Sequence, residues 1–295
     1  MKKRFVRRSL LYVPGSSEKK MEKALQIDAD GIIFDLEDAV SISEKDAARE
    51  MVAAMLPKVE HQEKIVRINA MDTFWGIEDL KMILKAQPDT IILPKANVDH
   101  VKMADQIMTV LEEHYGLPIG GIGLIPLLET TDGILNARAI IGAAARVNGA
   151  QLGAEDLTKE LSVARTREGG EIGFARSMMA CAGCAEKVDI IDTPFTGIHD
   201  LEGLEADTEK AKTFGITGKT CIYPTHVEVI NRLFSPTAEA VDHARRLLAA
   251  FDEAIAEGKG ACMFEKKMID QPVADRARKL IEKYEFIMKQ SKRGI

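Results

Sequence analysis

The hydrophobic pattern of this chain repeats one unit eight times, a short apolar run followed by a helical stretch. The apolar runs are continuous and rich in β-branched residues, which is typical of strands buried on both faces of a parallel sheet. The helical stretches have polar starts such as Ser43 and Asp132. We therefore predict an α/β protein with a (β/α)₈ barrel, that is, a TIM barrel.

The predicted strands span 9–14, 31–36, 64–69, 90–95, 123–129, 147–153, 188–193 and 218–223. The predicted helices lie near 17–27, 43–56, 76–86, 98–115, 132–144, 171–185, 201–213 and 226–233. Because no linker interrupts the alternation, residues 1–235 are expected to form the barrel as one domain.

A C-terminal helical extension, residues 236–295, follows the predicted barrel. It holds a helix near 237–257, an extended run at 261–264 and a final helix near 271–290. Gly258 and Gly260 separate the first helix from the extended run, since glycines break helices. The pattern leaves open whether this extension belongs to the same domain or reaches a neighbouring subunit.

Composition and charge exclude several classes of protein. Hydrophobic residues make up 46% of the 295 residues, which supports a sizeable core. No apolar run reaches the roughly 18–20 residues that span a bilayer, and the run after the basic start is too short for a signal peptide. The net charge of −6 gives no reason to expect nucleic acid as a partner. We expect a cytoplasmic protein without membrane contact.

Two local features have competing explanations. The first is a basic cluster of Lys2, Lys3, Arg4, Arg7 and Arg8. It is either a solvated terminus or, at Arg8 directly before the first strand, a phosphate contact. The second is the pair Cys181 and Cys184, which share one face of a predicted helix. Helix packing is favoured there over redox or zinc chemistry, because the sequence offers no second C-x-x-C and no nearby His.

Carboxylates follow three predicted strands at the end where barrel enzymes carry their reactive groups. Glu129 ends the fifth strand, Asp156 follows the sixth, and Glu37 and Asp38 follow the second. Glu129 and Asp156 are candidate ligands of Mg²⁺, because this ion takes one or two carboxylates and completes its shell with water. The alternative is that Asp156 caps a helix and Glu129 is a rim charge.

Two basic residues share this rim. Arg67 ends the third strand, where its guanidinium is suited to grip a carboxylate or carbonyl oxygen. An ion pair of Arg67 with Glu37 or Asp38 is an equally good explanation and does not exclude the first. Lys95, after the fourth strand, is either a rim contact or part of a salt bridge. An acidic ring with one arginine suggests a metal-bound oxyacid.

Nine segments, taken in order, resemble the citrate lyase β-subunit (CitE-like) family of the HpcH/HpaI aldolase/citrate lyase superfamily. They are RRSLLYVPGSSEKKMEKA, DGIIFDLEDAVSISEKDAAR, IVRINAMDTFWGIEDL, ILPKAN, LIPLLETTDGILNAR, QLGAEDL, GFARSMM, GITGKTCIYPTHVEVIN and KKMIDQPVADRAR. The resemblance runs from about Arg7 to about Glu285. The same superfamily includes malyl-CoA and citramalyl-CoA lyases.

This resemblance implies a Mg²⁺-dependent lyase that cleaves a 3-hydroxyacyl thioester of CoA or of an acyl carrier protein. The retro-Claisen products are an acyl thioester and a 2-oxo acid. The resemblance implies Glu129 and Asp156 as metal ligands, Glu37 and Asp38 as carboxylates that hold metal-bound waters, and Arg67 as the contact of the oxo-acid oxygens.

The resemblance also implies roles outside the metal centre. Arg8 and Lys19 match positions that contact the nucleotide or phosphates of the thioester carrier. Asp270 matches an aspartate that enters the active site from an adjacent subunit as acid/base, which implies a homo-oligomer, a trimer or hexamer. The residues alone give Asp270 an equally good alternative, because an aspartate directly before Gln271 and Pro272 is a suitable helix N-cap.

Substrate and carrier stay open. A citrate lyase β-subunit acts on citryl groups on an acyl carrier protein within a larger complex, whereas stand-alone relatives use malyl-, citramalyl- or citryl-CoA. A malyl-CoA thioesterase or malate synthase activity is an alternative for the same metal site. A non-catalytic scaffold subunit would have lost site residues, but Glu129, Asp156, Arg67 and Asp270 are all present.

Overall fold

A computed structural model describes residues 4–291, so Lys2 and Lys3 of the basic cluster lie outside the described residues. Eight parallel strands close into a barrel in chain order, which confirms the predicted TIM-barrel fold. These strands are β1 (Ser9–Pro14), β2 (Gly31–Asp35), β3 (Glu63–Arg67), β4 (Thr90–Leu93), β5 (Gly123–Leu128), β6 (Gly149–Leu152), β7 (Asp189–Asp192) and β8 (Gly218–Cys221). An antiparallel pair, β9 (Cys262–Phe264) and β10 (Lys267–Ile269), follows later.

The α-helices within the described residues are α1 (Glu18–Ala24), α2 (Lys45–Met55), α3 (Phe74–Lys85), α4 (Val98–His114), α5 (Thr131–Leu135), α6 (Ala137–Ile141), α7 (Ala154–Glu160), α8 (Gly173–Glu186), α9 (Leu201–Phe214), α10 (Val227–Phe234), α11 (Ala238–Ala256) and α12 (Gln271–Ser291). Short 3₁₀ turns lie at Ile42–Glu44, Leu56–Lys58 and Pro224–His226. The structure differs from the sequence prediction at three elements. The helix predicted at 132–144 is interrupted at Asn136, and α7 and β10 were not predicted.

Inward-pointing aliphatic side chains fill the barrel, as expected for strands buried on both faces. This core consists of Leu10, Ile33, Ile65, Ile92, Ile125, Leu127 and Ile191, with Tyr12 packed against it. The aliphatic layer closes the interior to water, so polar side chains gather where the strands end.

The amino-terminal end of the barrel is closed by a buried ion pair. The Arg7 guanidinium donates to both carboxylate oxygens of Glu63, at 2.7 and 2.8 Å. It also donates to the backbone carbonyl and the side-chain oxygen of Asn148, at 2.9 and 3.0 Å, while the Thr90 hydroxyl donates to Glu63 at 2.6 Å. These bonds join the starts of strands that are distant in sequence.

The chain divides into two compact units between Arg232 and Leu233. In the second unit, apolar side chains of α11, α12 and β10 form a separate small core of Ala244, Leu247, Phe251, Ile269, Ala274 and Ala277. In the part of the chain that the structure describes, no helix is long and apolar enough to cross a membrane.

Candidate active site

Arg67 lies at the carboxyl end of β3, directly beside Asp35 of β2 in the strand register. Its guanidinium donates two hydrogen bonds to the Asp35 carboxylate, at 2.7 and 2.6 Å, and lies 5.0 Å from the centre of the Tyr12 ring. Its third nitrogen is 3.1 Å from Glu37 and 3.5 Å from Asp38. Arg67 is therefore paired with the acidic loop, and Asp35 is the closer partner that sequence reasoning did not assign.

The loop after β2 is fixed by two buried charges. The Asp35 carboxylate accepts the backbone N–H of Glu37 at 2.9 Å and that of Ala39 at 3.1 Å. The Lys45 ammonium donates to the Leu36 and Glu37 carbonyls at 2.9 and 3.0 Å. Burial lowers the pKa of Lys45, while nearby carboxylates raise it. These bonds hold the backbone that carries Glu37.

The two carboxylate oxygens of Glu37 have different surroundings. Oε1 accepts a hydrogen bond of 2.8 Å from the Lys95 ammonium. Oε2 is buried and accepts no hydrogen bond within the described residues, although Arg67 Nη1 lies 3.1 Å away. Burial raises the pKa of Glu37, and the charge of Arg67 lowers it. A buried oxygen without a donor is suited to a metal ion or a metal-bound water.

Glu129 follows β5 and lies against Gly153, the residue after β6. A Cβ at Gly153 would be 2.5 Å from the Glu129 Cβ and 2.8 Å from its Oε2, so the glycine makes room for this carboxylate. Glu129 Oε1 accepts the Lys95 backbone N–H at 2.7 Å. Burial raises the pKa of Glu129 to about 7 despite that hydrogen bond, and the nearby charges of Glu37 and Asp156 contribute to the rise.

Asp156 lies in the first turn of α7, whose N-cap residue is Gly153, so Asp156 does not cap this helix. Its carboxylate makes no hydrogen bond or ion pair within residues 4–291. The rim therefore offers carboxylate oxygens that accept no hydrogen bond from the described residues, on Asp156, Glu129 (Oε2) and Glu37 (Oε2). These oxygens suit Mg²⁺, which takes few carboxylates and keeps several waters.

In the described residues, no group of three or more His, Cys, Asp or Glu side chains lies close enough together to hold a metal ion. Mg²⁺ does not require three protein ligands, because it takes one or two carboxylates and fills its other positions with substrate oxygens and waters.

A cavity of about 850 Å³ opens at this rim. Arg67, Glu129 and Asp156 line it, and five acidic and three basic side chains contribute to its wall. Gln151 of β6 adds a buried polar group, with Nε2 donating to the Tyr12 hydroxyl at 2.9 Å. Sequence reasoning missed Gln151, although a glutamine inside a buried strand is itself a signal of a polar pocket.

The lysines of α1 are placed differently from the prediction. Lys20 and Lys23 line the cavity, whereas Lys19 is not among the residues of its wall. Lys20 and Lys23 are exposed and have no ion-pair partner in the described part of the chain. Arg8 precedes β1, at the opposite end of the barrel, and donates to Asp30 at 2.7 Å. The structure therefore brings Lys20 and Lys23 to the cavity and does not bring Lys19 or Arg8 there.

Asp270 belongs to the second unit, between β10 and α12. Its Oδ1 accepts the Val273 backbone N–H at 3.2 Å, so the helix-cap role that the sequence left open is present. The other carboxylate oxygen makes no hydrogen bond with the described residues.

A family model described as HpcH/HpaI aldolase/citrate lyase matches residues 8–224, and one described as a C–C bond lyase of the TIM-barrel fold matches residues 175–285. The chain belongs to the HpcH/HpaI aldolase/citrate lyase family. The resemblance found in its motifs is therefore confirmed, and the fold and the rim belong to a family of carbon–carbon lyases.

Three relatives illustrate the range of this family. The citrate lyase subunit beta of Leuconostoc mesenteroides subsp. cremoris is 34% identical over 94% of this chain and 93% of its own length. A (3S)-malyl-CoA thioesterase of Cereibacter sphaeroides is 36% identical over 95% of both chains. The structure of CitE from Mycobacterium tuberculosis with magnesium, acetoacetate and coenzyme A has a TM-score of 0.78 and 28% identity, over 94% of this chain and 97% of that one. Two different activities thus occur at nearly equal identity.

Proposed function

We propose that this protein is a Mg²⁺-dependent carbon–carbon lyase that cleaves a 3-hydroxyacyl-CoA of the malyl, citramalyl or citryl type. The products are a shorter acyl-CoA and a 2-oxo acid. The observation that carries the proposal is a set of carboxylate oxygens, on Glu129, Asp156 and Glu37, that accept no hydrogen bond from the described residues. They lie at the same rim as Arg67, and Glu129, Asp156 and Arg67 line one cavity in a chain of this lyase family. A solved relative with magnesium and coenzyme A supports both ligands.

Glu129 and Asp156 would hold the ion, and Glu37 would orient its waters. When bound, Mg²⁺ supplies Lewis-acid stabilisation of the oxygen that becomes the carbonyl of the departing oxo acid. Arg67 is held rigidly by Asp35 and presents a fixed positive charge to the same oxyacid. Because its orientation is set before substrate binds, little reorganisation is needed during the reaction.

The reaction requires two proton transfers. A base removes the proton of the 3-hydroxyl, the C2–C3 bond breaks, and its electron pair moves onto the thioester as an enolate. The carboxylates of the cavity wall are the bases available at the hydroxyl. An acid then returns a proton to C2, and we assign this step to Asp270 of an adjacent subunit, which makes the working enzyme a homo-oligomer.

The carrier enters the cavity from the side of α1. Lys20 and Lys23 are three residues apart, so they share one face of the helix, and both lack an ion-pair partner within the described residues. They are suited to the phosphates of CoA. An acyl carrier protein, alone or within a citrate lyase complex, is the alternative carrier.

The experiment uses malyl-, citramalyl- and citryl-CoA, each with and without Mg²⁺, and follows 2-oxo acid, acyl-CoA and free thiol. We expect Mg²⁺-dependent release of a 2-oxo acid together with the matching acyl-CoA. In E129Q the rate should fall on the order of 10³-fold, since a metal ligand is lost. The exposed Glu113→Gln variant is the matched control and should be unaffected.

Three outcomes contradict the proposal in different ways. Free thiol with an intact hydroxy acid would establish thioester hydrolysis, the activity of the Cereibacter relative. Turnover only of a carrier-protein thioester would replace CoA as the carrier. Absence of turnover with every substrate would favour a scaffold subunit.

A further inference from the structure

Lys95 has an unusual backbone conformation at the rim of the barrel. Its φ is +47°, in the left-handed region that side chains with a Cβ rarely adopt. It follows β4 by two residues, and the next residue, Ala96, is anchored by its N–H to the Leu127 carbonyl at 3.2 Å. The strained residue is therefore held in place by the neighbouring strand β5, and strain of this kind is concentrated at functional sites.

This conformation directs two donors of one residue to two different carboxylates. The Lys95 backbone N–H donates to Glu129 Oε1 at 2.7 Å, and the ammonium donates to Glu37 Oε1 at 2.8 Å. In each carboxylate the second oxygen, Oε2, accepts no hydrogen bond within the described residues. Lys95 thus occupies one oxygen of each group. The other oxygen of Glu129 accepts no hydrogen bond from the described residues, and that of Glu37 lies 3.1 Å from Arg67 Nη1.

We propose that Lys95 is a positioning residue, whose left-handed backbone and ammonium together orient Glu129 and Glu37 toward the metal ion. The inference rests on the proposed function, because it assumes that Glu129 binds Mg²⁺. Beyond that function, it assigns two roles to one residue. The backbone of Lys95 orients Glu129, and its ammonium orients Glu37.

A simple salt bridge does not account for this arrangement. The Lys95 side chain is 46% exposed, and an ion pair with that exposure contributes little to stability. Moreover, a nearby cation repels Mg²⁺, so a purely electrostatic Lys95 would weaken metal binding. Removal of the ammonium should therefore weaken Mg²⁺ binding if Lys95 positions the carboxylates. It should strengthen Mg²⁺ binding if Lys95 acts only through its charge.

The test measures the Mg²⁺ dissociation constant by titration calorimetry in four proteins: wild type, K95M, K95A and K95G. K95M keeps the apolar stem and the Cβ but loses the ammonium, and we expect about tenfold weaker Mg²⁺ binding than in wild type. K95A and K95G both lack the ammonium and differ in the cost of a positive φ. We expect Mg²⁺ to bind about five- to tenfold more weakly to K95A than to K95G.

Lys187→Gly is the matched control. Lys187 has a φ of +57° at the C-terminal end of α8 and is exposed, so this variant relieves the same backbone strain away from the rim. It should bind Mg²⁺ as the wild type does. Thermal unfolding in EDTA verifies that all variants are folded before affinities are compared.

Equal affinities of K95A and K95G, or unchanged or tighter binding by K95M, would overturn the proposal. If these results occur while the wild type binds Mg²⁺ and releases a 2-oxo acid, only the role of Lys95 is lost. Failure of the wild type to bind Mg²⁺ would instead overturn the proposed function together with this inference.

Discussion

The two ends of the barrel use buried charge in opposite ways. At the amino-terminal end, the Arg7 guanidinium meets Glu63 and both oxygens of that carboxylate accept hydrogen bonds. At the carboxyl-terminal end, Glu37 and Asp156 keep oxygens to which no described residue donates a hydrogen bond. At the amino-terminal end, an ion pair with all its carboxylate oxygens hydrogen-bonded holds the strands together. At the carboxyl-terminal end, carboxylate oxygens without hydrogen bonds lower the stability of the fold but can accept a ligand.

The largest expected effect comes from breaking the pair at the amino-terminal end. Glu63→Gln leaves the buried Arg7 guanidinium without its counter-charge, so the free energy of unfolding should fall by about 3–5 kcal/mol. The specific activity of the folded fraction should stay unchanged, because the pair lies at the end of the barrel opposite the cavity. Urea unfolding and a lyase assay on the same preparation measure both quantities.

Two controls sharpen this prediction. Glu113→Gln makes the same chemical change at an exposed position and should alter stability by no more than about 0.5 kcal/mol. Replacing Arg7 and Glu63 together by Met should recover much of the loss, since no unpaired charge remains. A loss below about 1 kcal/mol in Glu63→Gln would show that this end does not stabilise the barrel.

The next effect concerns the space that Gly153 leaves for Glu129, the proposed metal ligand. In Gly153→Ala the new Cβ would lie 2.5 Å from the Glu129 Cβ, so the glutamate must shift. We expect a stability loss of about 1–3 kcal/mol from overpacking and Mg²⁺ binding weakened by about tenfold or more. Gly170→Ala is the control, since a Cβ there meets no atom within 4 Å. Wild-type Mg²⁺ affinity in Gly153→Ala would argue against Glu129 as a ligand.

The barrel was predictable from sequence, because strands buried on both faces appear as continuous apolar runs between amphipathic helices. The elements that were missed are short or exposed. The helix α7 begins within the rim motif GAED and has only seven residues, so its periodicity is too brief to recognise. Strand β10, Lys267–Ile269, is largely exposed and therefore lacks an apolar pattern.

The residue types of the candidate site at the strand ends were predictable. The ion pairs of Arg67 with Glu37 and Asp38, and a salt bridge of Lys95, were among the alternatives that the sequence offered, and the structure contains them. The closest contact of Arg67 was not predictable. The role of Asp35 as the clamp of Arg67 depends on the register of β2 and β3, which the sequence does not encode locally. Nothing in ILPKAN indicates a positive φ at Lys95, since glycine or asparagine is the usual signal. The sequence also does not show which lysine of α1 lines the cavity. That Lys20 does so and Lys19 does not depends on how the helix is rotated against the barrel.

The last prediction is a dependence of Mg²⁺ binding on pH, which follows from the raised pKa of Glu129. Because burial raises the pKa of Glu129 from 4.5 to about 7, a proton competes with the ion below that pH. We expect the Mg²⁺ association constant to fall by about tenfold for each pH unit below 7 and to level off above 8. Calorimetry in two buffers of different ionisation enthalpy would detect the released proton.

The stability of the metal-free protein should follow the opposite trend with pH. The folded-state pKa of Glu129 lies above its unfolded value of 4.5, so its stabilising contribution is complete below pH 4.5 and is lost as the pH rises through about 7. Saturating Mg²⁺ should therefore raise the melting temperature more at pH 8 than at pH 6. E129Q has no carboxyl to titrate, so this difference between the two pH values should largely disappear, and its persistence would assign the titration to another group of the rim.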